Sequence, residues 1–326
     1  MQKLNEGSAA TPPGLHQFRI AVMTTGEHKT RQLQSNDRLG LLLGFIGVAT
    51  FAGSLPATRI AVSELTPWFV TSARASIAAI CAIVLLAALR RPLPPRNTWL
   101  PLFFVACGVV LGFPLFSGLA MQTVPAAHGG VIIGILPLGT AVAAALFAHE
   151  RPSGMFWIAG IFGAAIVVAF SLRHGNSLTI STGDLWLLAA IGSASVGYTM
   201  SGKLARNMPG WEVISWACVL ALPVFGTLTF ILWPQNLFSV SPQVAAGMAY
   251  VGLVSQFLGF FAWNAGLAMG GIARVGQMQL MQPFITVGIA AVFNNEPVEI
   301  ETLAFAAAVV ATVLIGLRTR ATTAQP

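Results

Sequence analysis

A few residues in this chain have the side chains and spacing needed to handle a solute. Gln279, Gln282 and Thr286 recur at i, i+3 and i+7, one face of a helix. Their carboxamides and hydroxyl can hydrogen-bond a polar ligand without the desolvation cost of a charge, although such groups also join helices to one another. Gln256, Tyr198, Ser54 and Ser201 are candidates of the same kind. Arg74 is a charge about seven residues into an apolar run, or about 10 Å from its end at 1.5 Å per residue. It can attract a carboxylate, snorkel to a polar surface or pair with a carbonyl. His128, at the start of another apolar run, is the best placed of five histidines to change charge with pH. Pro137 and Pro283 stand mid-run, where each removes a backbone hydrogen bond and frees a carbonyl. Either they mark a hinge or cavity wall, or they are simple kinks.

Catalytic chemistry finds no footing. No nucleophile and base pair and no HExxH stands at helical spacing. Cys81, Cys107 and Cys218 lack CxxC spacing and read as small packing residues. No catalytic residue, metal or cofactor is expected.

The elements that must position these residues follow from composition. Of 326 residues, 56% are apolar and only 8% charged, with a mean hydropathy of +0.77. Soluble domains carry roughly 25% charged residues, so the chain cannot clothe a water-facing surface and its first partner is a lipid bilayer. The runs are apolar throughout rather than alternating, which excludes an outer-membrane barrel. The expected fold is all-α and polytopic. Ten spans are expected: Leu39 to Thr58, Pro67 to Leu89, Trp99 to Met121, Ala126 to Ala148, Gly154 to Leu172, Asp184 to Gly202, Trp211 to Trp233, Gln243 to Leu267, Ala273 to Phe293 and Glu301 to Leu317.

A pI near 10.2 and a net charge of +7 could suggest nucleic acid. No basic run with interleaved aromatics supports that. The excess is better read as orientation. With the N-terminus inside, Arg59 and Arg173 fall outside and Arg74 falls within a span, leaving 14 of the 17 Lys and Arg residues on the cytoplasmic side. Both termini are therefore expected in the cytoplasm. Residues 1–36 are polar and have no apolar h-region. They read as a disordered cytoplasmic tail or, since Met23 begins a plausible shorter chain, partly as an overextended start. Residues 318–326 form a cytoplasmic C-terminal tail.

The two halves repeat. Leu136-Pro137 with Phe147, His149 and Glu150 recurs as Gln282-Pro283 with Phe293, Asn295 and Glu296, an offset of 146. Gly118-Leu119-Ala120-Met121 recurs letter for letter as Gly266-Leu267-Ala268-Met269 at 148. Units of five helices, residues 37–173 and 182–317, cross the membrane in opposite senses. Such inverted repeats place a substrate site at their interface near the midplane. Every Asp and Glu falls at a helix end or in a loop, which disfavours proton-driven export of lipophilic cations. Pairs such as Gly108/Gly112, Gly130/Gly134 and Gly266/Gly270 are read as close-packing devices, and Trp263 as an interfacial anchor.

Pro67-Trp68-Phe69 with Arg74, the Pro137 to Phe147 to Glu150-Arg151-Pro152 signature, and its echo from Pro283 to Glu296-Pro297 carry a resemblance. From about Leu39 to Leu317 the chain resembles a ten-helix EamA-domain transporter of the drug/metabolite transporter superfamily. The resemblance implies a bacterial inner-membrane carrier, often an exporter of amino acids or other small metabolites, with a cavity between its halves. The second copy lacks the intervening Arg, and the seventh span has no Arg matching Arg74, so functional symmetry is not expected. The leading expectation is a secondary exporter of small amphipathic metabolites, amino acids first, with homo-oligomerisation left open. An intramembrane enzyme lacks its reactive cluster, and a sensor or scaffold would need a soluble domain or long loop, whereas no loop exceeds about 12 residues.

Overall fold

A computed structural model of the chain describes residues 38–149, 154–174, 181–235 and 237–318. The N-terminal tail, Glu150-Arg151-Pro152 and the last eight residues lie outside these. The described residues are helical, without strands. Seven helices are long and apolar enough to cross a membrane: α1 (Arg38–Ala61), α2 (Pro67–Ala88), α3 (Arg96–Ala120), α4 (Ala126–Phe147), α7 (Gly210–Ile231), α8 (Pro242–Gly270) and α9 (Arg274–Phe293). Three more helices, α5 (Gly154–His174), α6 (Thr182–Leu204) and α10 (Ile300–Arg318), stand outside that set. Among the described residues seven of the ten expected spans meet that length and apolarity, and α6 falls short because its Gly, Ser and Thr residues dilute it.

Local chemistry explains the helix starts. The Thr66 hydroxyl accepts from Phe69 N and Pro67 occupies the first turn of α2. Ser181 and Asp184 form a reciprocal capping box at α6. Ser241 caps α8, again with Pro in the first turn. His149 and Asn295, 146 residues apart, each adopt a left-handed conformation just past α4 and α9 (φ 56° and 54°).

Four helices are broken where the halves meet. α4 breaks at Gly134 and Ile135 before Pro137, and α9 passes through a tight 3₁₀ segment, Gln277–Met281, before Pro283. α3 and α8 instead widen into π segments, Ala106–Gly112 and Tyr250–Leu258. These overlap at the 148-residue offset. Single π turns are rare in α-helices and concentrate at functional sites because they leave backbone carbonyls without regular partners.

Packing between the halves follows a two-fold pattern. α2 packs on α7, α4 on α9 and α5 on α10, while α1 against α8 is echoed by α6 against α3. Glycines set the approach. A Cβ on Gly266 would lie 2.7 Å from Gly44 N, and one on Gly108 would lie 2.7 Å from Gly197 Cα. The glycine pairs expected to allow close packing therefore do so at two equivalent interfaces.

Candidate substrate site and vestibule

The helix breaks and close approaches enclose a small cavity where both halves meet. α1 contributes Phe51 and Ser54, α2 Arg74, α3 Val109 and Phe113, α6 Tyr198, and α8 Ser255, Gln256 and Phe260. Its volume is about 10 Å³, room for roughly one water.

Arg74 dominates the cavity. It is 2% exposed, so it does not snorkel. Its Nη2 donates to Ser255 Oγ at a long 3.4 Å, and Nε and Nη1 have no partner. A charge at the centre of a spanning helix costs about 2.5–3.5 kcal/mol on insertion scales, and here one weak neutral contact offsets it. Gln256 bridges the two π segments, its Nε2 donating to Val109 O at 3.1 Å, which leaves Oε1 without a partner. The Ser54 hydroxyl is also buried and unpartnered. Rings form the wall: Tyr198 lies 6.1 Å from Phe51, 6.0 Å from Phe260 and 5.2 Å from Trp263 between centroids. Trp263 is 0% exposed. It backs this cluster against Phe51 and Tyr198 and is not an interfacial anchor.

The other expected residues are placed elsewhere. Thr286 Oγ1 donates to Ala52 O at 2.9 Å, and Tyr250 OH donates to Thr50 O at 2.8 Å. Together they satisfy carbonyls beside the turn that α1 makes at Gly53. Gln279 and Gln282 are buried, with Oε1 of both and Nε2 of Gln279 unpartnered, but neither lines the cavity. Ser201 is buried and unpartnered on α6, also outside the cavity. Pro137 and Pro283 interrupt their helices without lining it. Pro283 instead meets α4: a Cβ on Gly134 would lie 3.1 Å from its Cγ.

His128 belongs to a second, polar hollow of about 470 Å³ at the ends of α1, α4 and α6 and the α9–α10 connection. Its Nε2 lies 2.7 Å from Asp184 Oδ1, while Asp184 Oδ2 accepts from Ser181 N at 3.0 Å. Beside it Arg59 Nε pairs with Glu296 Oε1 at 3.2 Å. The Glu296 carboxylate also accepts from Ala126 N (2.9 Å) and Ala127 N (2.8 Å), covering the open N–H groups at the start of α4. Arg59 donates further to Met121 O and Val124 O. Both contacts, His128 with Asp184 and Arg59 with Glu296, join one half of the chain to the other.

Of the residues singled out from the sequence, Ser54, Arg74, Tyr198 and Gln256 converge on one cavity, which Phe51, Val109, Phe113, Ser255 and Phe260 also line without having been singled out. Apolar residues in an apolar run carry no signal of their own. The echo of Glu150 by Glu296 was visible, but the covering of α4 was not. Among the described residues no group of three His, Cys, Asp or Glu could hold a metal ion.

Known proteins place this architecture. A solved crystal structure is similar over 85% of this chain and 97% of its own, with a TM-score of 0.64 at 20% identity, which speaks to the fold alone. The uncharacterized transporter YdeK of Bacillus subtilis is 45% identical over 259 residues, 79% of this chain and 90% of that protein. The aromatic amino acid exporter YddG of Ancylobacter novellus is 23% identical over 75% of this chain and 85% of its own. The profile of the EamA-like transporter family matches twice, at residues 38–172 and 181–317. Matched over both of its paired halves, the chain belongs to the EamA-like transporter family.

Proposed function

We propose that the protein is a secondary exporter of small amphipathic metabolites, amino acids among them, working by alternating access between inverted five-helix units at residues 37–173 and 182–317. In this reading all ten helices cross a bacterial inner membrane, both termini face the cytoplasm, and the vestibule faces outward. The cytoplasmic bias of Lys and Arg supports that orientation. The carrying observation is the cavity, drawn from both halves, with unpartnered polar groups on one side and aromatic rings on the other. At about 10 Å³ it admits no metabolite unless the halves part. A relative named as an aromatic amino acid exporter supports the solute class.

The test is efflux from vesicles containing the purified protein and loaded with a mixture of amino acids and related metabolites. Export above that from protein-free vesicles is expected for at least one amphipathic solute, and none across the panel overturns the reading. Tyr198→Ala should slow that efflux about tenfold, the equivalent of about 1.4 kcal/mol of lost contact, without altering the gel-filtration profile.

A further inference from the structure

We propose that the Arg74 cavity is a carboxylate site without a partner for an ammonium group, so that it selects monoanions with an apolar tail over zwitterions and cations of the same shape. This rests on the transport reading and narrows its solute. A guanidinium stays charged at neutral pH, and Arg74 has two nitrogens without partners and the third only weakly engaged. It is 2% exposed and opens onto the cavity. No Asp or Glu lines that cavity, and three carboxylates of the described residues are paired elsewhere: Asp184 with His128, Glu296 with Arg59 and Glu212 with Arg91.

Among the described residues the site therefore carries one positive charge with no counter-charge. A solute carboxylate supplies it, accepting the planar fork in two hydrogen bonds. The apolar tail then faces Phe51, Phe260 and Tyr198. An α-ammonium entering the same space meets only neutral oxygens, such as Gln256 Oε1 and Ser54 Oγ, and it is repelled by the guanidinium. Its desolvation is left without a charged partner. Removing or acylating the amino group relieves that penalty while keeping the carboxylate.

A ring series tests this: 3-phenylpropanoate, phenylalanine and phenethylamine, loaded singly into vesicles at neutral pH, with efflux read against protein-free vesicles. The expected order is the anion at least about tenfold faster than the zwitterion, with the amine at background. Arg74→Gln should remove the advantage of the anion. Gln256→Glu, which keeps the arginine and adds a negative charge beside it, should shift preference toward phenylalanine; it serves as the test should Arg74→Gln fail to fold. Equal rates for anion and zwitterion, a faster amine, or a Gln256→Glu protein with unchanged preference overturns the inference while leaving export intact. Efflux of none of the three overturns the inference, while the export reading stands or falls on the full panel.

Discussion

The two ends of the helix bundle are closed in different ways. At the vestibule end His128–Asp184 and Arg59–Glu296 join the halves, with side-chain exposures of 10%, 3%, 35% and 10%. Both carboxylates also accept from backbone N–H groups near helix starts. At the opposite end Arg91 Nε meets Glu212 Oε1 at 2.8 Å, with exposures of 40% and 10% close to those of Arg59 and Glu296. Lys203 Nζ donates to Phe147 O at 2.7 Å in an exposed contact. A carboxylate that is at once ion-pair partner and helix cap cannot let go of one role without disturbing the other. Glu212 accepts from no backbone N–H among the described residues, so its pair with Arg91 can part without uncapping a helix. In the proposed exporter this end is the looser closure and is expected to open first.

Substitutions that unfasten one end at a time can break this contrast. The largest effect is expected for Glu296→Ala, which leaves Arg59 without its partner and two N–H groups of α4 without an acceptor. Thermal unfolding in detergent should report a loss of about 3 kcal/mol, and a loss no greater than that for an exposed charge would refute the proposed interlocking. A smaller loss, about 1–2 kcal/mol, is expected for Asp184→Asn, which weakens the cap of α6 as well as the pairing with His128.

The smallest effect belongs to Arg91→Ala. A cost of about 1 kcal/mol is expected, because no backbone N–H loses its acceptor, together with faster rather than slower efflux, and strong destabilisation would erase the difference between the ends.

Much of the fold was legible because a bilayer allows few solutions. Backbone groups in lipid must be satisfied within a helix, so every apolar run had to be helical, and each expected span overlies a helix with ends within about three residues. The proline breaks were equally legible, since proline lacks the N–H wherever it falls. The π segments were not. Nothing in Ala106–Gly112 or Tyr250–Leu258 marks a wider turn, and the bond from Gln256 to Val109 that ties them spans 147 residues. Trp263 shows the same limit: tryptophan near the end of a span commonly marks the headgroup level, yet here its ring is packed against Phe51 and Tyr198.

The amino-acid sequence by itself determined where the helices lie, which residues break them, how the halves correspond, and that Arg74 brings a charge into an apolar run. Each of these depends on residue type and local spacing. Only the tertiary structure decided that Arg74 shares one closed space with Ser54, Tyr198 and Gln256, while Gln279, Gln282 and Ser201 lie outside it. That choice is set by the rotation of each helix and by how near its neighbour can come. Both depend on contacts between glycines more than 200 residues apart, such as Gly40 against Gly270, which no local pattern encodes.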